Sequence, residues 1–257
     1  GWMNFKNVLN NPDLGRLVVN ALILNGYKII IGLPAGALLA LLLNELRHKG
    51  FKNTVQTILY LPHFITWIII GTVFWGLFNY SYGALNQFLD RLGHMPIMWY
   101  QSPQYWRGLI VGAGIWKELG WSTIIYTAML SGINVEVYEA AIVDGATKFQ
   151  QIRYINIPHI MPVVGFNLVF MIAGIVTTDA SQLYALASGV NYDVLHFIDT
   201  VDYSLFRCIS PLAGASGFDL GFGYLTAMGI MQATVGVVLF IVANRMAQRF
   251  FNWSGMF

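Results

Sequence analysis

The chain has 257 residues, of which 56% are hydrophobic and only 10% charged, with a formal net charge of +2 and a mean hydropathy of +0.59. An ordinary soluble domain carries roughly 25% charged residues to clothe its core, so this composition excludes that class, and so small a net charge gives no electrostatic footprint for nucleic acid. The single cysteine, Cys208, excludes an internal disulfide and any cysteine-based metal cluster.

Residues 1–16 read as a polar lead-in, with a turn at Asn10-Asn11-Pro12-Asp13 and Asp13 placed to cap the helix that follows. A membrane helix takes about 20 mostly apolar residues. Five segments meet that test, Leu17–Leu43, Thr57–Phe78, Leu109–Ile133, His159–Val176 and Phe222–Asn244, here A to E. The expected fold is therefore an all-α integral membrane protein of about five transmembrane helices, with residues 1–257 forming a single domain. In segment A, Gly32 and Gly36 around Pro34 predict close helix packing at a kink, and Gly108 and Gly112 repeat the spacing.

Charged and amide side chains inside these segments are the candidates for a polar path. Lys117 and Glu118 lie in segment C, where each costs about 2.5–3.5 kcal/mol on insertion scales. As immediate neighbours they point in different directions and do not pair with each other. They either line a path or bond neighbouring helices. The same choice holds for Asn25 and Lys28, which share a face of segment A, for Asn167 in D and for Gln232 in E. Segment B contains no Asp, Glu, Lys or Arg.

The loops alternate in charge. Arg47, Lys49 and Lys52 lie between A and B, Lys148 and Arg153 between C and D, and Arg245 and Arg249 after E. The long loop at about 179–221 has only Arg207, beside Asp179, Asp193, Asp199, Asp202 and Asp219. Positive-inside bias predicts that the A–B loop, the C–D loop and the C-terminus are cytoplasmic and that residue 1 is outside. Tyr192–Cys208 is predicted to form an external helix, broken by the Gly/Pro-containing stretch Ser210–Gly217.

The C–D loop, about 134–158, is the most informative stretch. It contains Glu139-Ala140-Ala141, then Asp144-Gly145-Ala146, then Ile155-Asn156-Ile157-Pro158. Gly145 suits the left-handed residue that ends a helix, Thr147 with Gln150 fits a capping box, and Pro158 suits the first turn of segment D. Two short helices stiffly joined to a membrane helix make a protrusion that can pass a push from a partner into the bilayer. No Gly-Lys dipeptide occurs, so a P-loop is absent. The five histidines, His48, His63, His94, His159 and His196, are scattered, and no catalytic or metal-binding set is apparent.

This loop resembles the EAA loop of binding-protein-dependent ABC importer permeases. Trp116-Lys117-Glu118, Leu59-Tyr60-Leu61-Pro62-His63-Phe64 and Ala243-Asn244-Arg245 are similar to the oligosaccharide and polysaccharide branch of that family. The resemblance implies a bacterial cell-membrane permease that is not itself an enzyme. Glu139, Ala140, Ala141, Asp144 and Gly145 would form the coupling element that docks on a separate ATPase. It implies a second homologous permease completing a heterodimer, two ATPase subunits that bind ATP and Mg, and an extracytoplasmic sugar-binding protein. It also implies one more helix before segment A. Trp67, Trp75, Trp116 and Trp121 then become candidates either for stacking on sugar rings or for interfacial packing. The competing readings are an ion-coupled secondary transporter using Lys28, Lys117 or Glu118, which should show an inverted repeat, and a membrane-embedded enzyme.

Overall fold

The computed structural model describes residues 1–46, 48–209 and 221–250. Arg47 and the Ser210–Gly217 break lie outside the described residues. Every regular element among the described residues is helical.

The lead-in is a helix, α1 (Trp2–Leu9), because Val8 finds an apolar seat. Asp13 binds Arg16 at 3.0 Å in the next helix instead of acting through a side-chain cap. Segment A is α2 (Leu14–Tyr27), a π turn (Lys28–Gly32) and α3 (Leu33–Asn44). Pro34 has no N–H and crowds the carbonyl four residues back, so the predicted kink takes the form of a π turn just before it.

Segment B is not continuous. It is α4 (Lys49–Phe64) and α5 (Trp67–Phe78), with Thr66 extended between them. An apolar run fixes burial in lipid, but it does not say whether the helix is unbroken, and Pro62 sits two residues from the break. α6 (Ala84–Arg91) lies in the B–C loop, and segment C is α7 (Pro103–Ser131).

The C–D loop holds α8 (Val135–Val143) and α9 (Lys148–Gln151). A π turn (Ile152–Asn156) then runs directly into α10 (Ile157–Ala173). The expected second short helix is thus continuous with segment D. Pro158 does not begin a new helix but follows a π turn, as Pro34 does. Tyr192–Cys208 is two helices, α12 (Tyr192–Ile198) and α13 (Val201–Ile209), preceded by α11 (Ala180–Leu186). Asp199 and Thr200 interrupt the expected single helix. Segment E is α14 (Gly221–Phe250).

Among the described residues, three helical runs, Leu14–Asn44, Lys148–Ala173 and Gly221–Arg249, are long and apolar enough to cross a bilayer, and a fourth if α4 and α5 are one broken span. The 29 residues of α7 reach about 43 Å at 1.5 Å per residue, so its claim to be a span rests on length. Large apolar side chains on these runs face outward, among them Leu42 at 67% exposed and Ile68 at 70%, as a lipid solvent permits.

The helices form two compact units. One comprises Gly1–Tyr27, Ile65–Gly114 and Gly174–Val237. Its core gathers Val8, Leu17, Val201, Tyr224, Ala227 and Met228. The other comprises Lys28–Phe64, Ile115–Ala173 and the chain from Val238. It packs Ala40 and Leu41 against Tyr126, Leu130 and Ile160, and Val169 against Ala243 and Ala247. A Cβ on Gly36 would come within 2.6 Å of Ser122 Oγ, so the small residue serves the close packing expected of it. Gly108 and Gly112 have open space and serve none.

Candidate functional site

In the second unit, α8 starts at Asn134, whose side chain accepts from the Glu136 N–H at 3.2 Å. It ends in a Schellman motif. The Ala146 N–H donates to Ala141 O at 2.8 Å and the Gly145 N–H to Ile142 O at 3.0 Å, with Gly145 at φ +79°. Asp144 is the C-cap residue. The expected capping box is present, with the Thr147 N–H donating to Gln150 Oε1 at 2.7 Å and the Gln150 N–H to Thr147 Oγ1 at 3.4 Å.

Glu139 and Ala140 are exposed and Ala141 is half-buried. The Glu139 carboxylate makes no ion pair or hydrogen bond with the described residues. Beside it, Ile142 is 59% and Val143 87% exposed, so α8 presents an apolar patch around one free carboxylate. The helix is tied to its base. Tyr138 OH donates to the fully buried Asn156 in the π turn, and Lys148 reaches Glu45 at 3.8 Å. Burial holds the Tyr138 phenol above its ordinary pKa, and the nearby Glu45 carboxylate adds to the effect.

A polar cluster lies elsewhere in the same unit. Lys117 is 7% exposed and its ammonium donates to Pro62 O, at 3.4 Å, and to His63 O. These carbonyls belong to the last turn of α4, which has no further turn to bond them, so a cation there meets the negative end of the helix dipole. Glu118 Oε2 lies 2.9 Å from His63 Nδ1, and the His63 ring stacks on Trp121 at 4.3 Å between centroids. Lys117 and Glu118 do not pair with each other; they converge on different atoms of His63. In the sequence His63 is one of five scattered histidines, with no role assigned to its ring. Its signal was a titratable ring directly after Pro62 in a segment without Asp, Glu, Lys or Arg.

Three of the other polar candidates bond neighbouring segments. In the first unit Asn25 Nδ2 donates to Ile175 O and Thr177 O, both at 2.8 Å. Gln232 Nε2 donates to Val176 O at 2.8 Å and to Asp202 Oδ2 at 2.9 Å. The two amides thus clamp one turn after α10, which accounts for them as helix ties. Lys28 opens the π turn of segment A. In the second unit Asn167 Nδ2 donates to Tyr126 OH at 3.0 Å. No group of His, Cys, Asp and Glu suited to a metal ion occurs among the described residues.

Residues 32–252 match the family described as binding-protein-dependent transport system inner membrane component. Protein LplB of Bacillus subtilis is 33% identical over all of this chain and 77% of its own length. The polygalacturonan/rhamnogalacturonan transport system permease YteP of the same organism is 34% identical over 97% of this chain and 75% of its own. Among solved structures, a chain of a bacterial ABC transporter involved in the import of the acidic polysaccharide alginate superposes with a TM-score of 0.86 at 32% identity, covering 97% of this chain and 84% of that one. A membrane-spanning, all-helical chain with a capped helix standing between its third and fourth apolar segments, matched over nearly its full length, belongs to the binding-protein-dependent transport system inner membrane components and is a permease subunit of an ABC importer.

Proposed function

We propose that this permease carries an oligosaccharide or polysaccharide inward, forming half of the translocation path, and that residues 134–158 couple it to a separate ATPase. The observation that carries the coupling role is α8 itself. It is a helix closed at both ends, braced through Tyr138 to the base of a membrane span, and it offers the unpaired Glu139 carboxylate amid exposed apolar side chains. A basic residue in a groove of the ATPase is the natural partner for that carboxylate. Ala140 and Ala141 keep the surface flat enough to seat, and Asp144 and Gly145 stop the helix at the groove's edge.

The whole importer would comprise this chain, a second homologous permease, two ATPase subunits holding ATP and Mg, and an extracytoplasmic sugar-binding protein. The related alginate importer has been solved in complex with an alginate-pentasaccharide-bound periplasmic protein, which supports the last of these. The A–B loop, the C–D loop and the C-terminus would face the cytoplasm. Domain 1–257 would work as one permease, with Glu118, His63 and Trp121 as the residues lining the path. Their carboxylate, imidazole and indole face suit a polyhydroxylated ring, whereas Lys117, Asn25 and Gln232 serve as helix ties, each within its own unit.

The test is purification of the intact complex with the neighbouring ATPase and binding protein. A co-purifying P-loop ATPase whose activity rises with a saccharide-loaded binding protein is expected. Glu139→Lys should leave the complex in the membrane yet uncouple hydrolysis from uptake. Normal saccharide-stimulated transport by that variant would remove the docking role.

A further inference from the structure

Within the first unit, α5, α11 with the residues after it, and the loop before α7 line a half-open cavity of about 460 Å³, a size typical of ligand sites. Trp75, Tyr100 and Tyr184 supply its aromatic walls, and Thr72 and Ser188 add hydroxyls. We propose that this cavity is a saccharide subsite, which grips one ring of the transported chain by its apolar face and its hydroxyls and not by any carboxylate. The proposal rests on the saccharide reading above.

The aromatic wall is preorganised. Trp75 Nε1 donates to Tyr82 OH at 2.8 Å, and the Trp75 and Tyr100 rings meet edge to face at 4.9 Å. Tyr100 in turn rests on Trp106 at 5.3 Å, which is 2% exposed and donates through Nε1 to Trp99 O at 2.9 Å. Trp99 is itself held by Asn86 Oδ1 at 2.9 Å. Such chained hydrogen bonds fix the wall before a ligand arrives.

The hydroxyls are the opposite case. Those of Tyr100, Tyr184 and Ser188 have no hydrogen-bond partner among the described residues. Thr72 Oγ1 donates to Ile68 O at 3.1 Å and keeps its lone pairs for a ligand. Burial pushes the Tyr100 pKa up to about 12, so this hydroxyl remains a donor at physiological pH.

A ligand with apolar ring faces and a rim of hydroxyls satisfies both sets. A lipid tail would leave three hydroxyls unpaired, at a cost, and a charged headgroup would meet no opposite charge, because no Asp, Glu, Lys, Arg or His among the described residues lines the cavity.

The test uses the complete importer in proteoliposomes, with a galacturonic acid trisaccharide, its methyl ester and maltotriose as probes. The double variant Tyr184→Phe/Ser188→Ala keeps the ring packing and removes two hydroxyls. It should raise the KM for uptake about tenfold for every probe the wild type carries, with the maximal rate and the substrate-free ATPase rate unchanged. The factor should be the same for the acid and its ester. An unchanged KM, or a fall in maximal rate alone, overturns the subsite while leaving the saccharide reading in place. A phospholipid retained by the wild type and lost from the double variant in native mass spectrometry overturns it too. If no probe is carried and none stimulates the ATPase, the saccharide reading falls and the subsite falls with it.

Discussion

Lys117 and Glu118 show what a residue's chemistry demands inside a membrane. Two adjacent charges there need partners, and their adjacency forbids the simplest pairing. The ammonium takes the free carbonyls at the end of α4 and the carboxylate takes the ring of His63. Lys117→Met keeps the length of the side chain but leaves Pro62 O and His63 O without this donor. A loss of about 1–3 kcal/mol is expected, read as a lower thermal midpoint of the purified permease complex. An unchanged midpoint would mean that water or another group satisfies those carbonyls equally well. At Gly145 the constraint is backbone. A φ of +79° is a conformation that a β-branched residue resists, so Gly145→Val should loosen the end of α8 by about 1–3 kcal/mol. The expected sign is weaker assembly with the ATPase on gel filtration, and an intact complex would show that the turn tolerates the strain. The glycine was recognisable in the sequence because its requirement is local. The partners of Lys117 were not, because they lie on a segment more than fifty residues away.

At the scale of elements, proline positions were legible, but the form of the irregularity at each was not. Pro34 and Pro158 each follow a π turn inside an otherwise continuous helix, whereas Pro62 lies next to a true break. The same loss of an N–H is absorbed by re-registering the helix in two cases. In the third, the exposed carbonyls find a cation from α7. The capping box at Thr147 and the Schellman end of α8 were readable because caps are set by residues within one turn of each other. The link that makes α8 rigid was not readable, since Tyr138 and Asn156 meet only after the chain has turned back. Tyr138→Phe removes the donor to a buried Asn156 whose Nδ2 already lacks a partner among the described residues. A cost of about 1–3 kcal/mol is expected. Its functional signature is partial uncoupling, with ATPase activity retained and uptake reduced several-fold. Full coupling in this variant would show that packing alone braces α8.

For the whole molecule, sidedness is the property on which the proposed mechanism depends. The proposal puts residues 134–158 on the cytoplasmic side, as the Lys/Arg bias of the short loops predicts. In right-side-out vesicles, Lys148→Cys in a Cys208→Ser background should resist a membrane-impermeant maleimide and react once the membrane is opened; labelling of sealed vesicles would overturn the orientation. Composition and local spacing sufficed for the class of protein, the apolar segments and the caps of the C–D loop, because lipid solvation, helix caps and left-handed glycines act over a few consecutive residues. The broken second segment, the convergence of Lys117 and Glu118 on His63, the clamp of Asn25 and Gln232 on one turn, and the aromatic cavity beside Trp75 came from folding alone. Each joins residues far apart in the chain, and a buried polar group accepts whichever distant partner the packing brings to it.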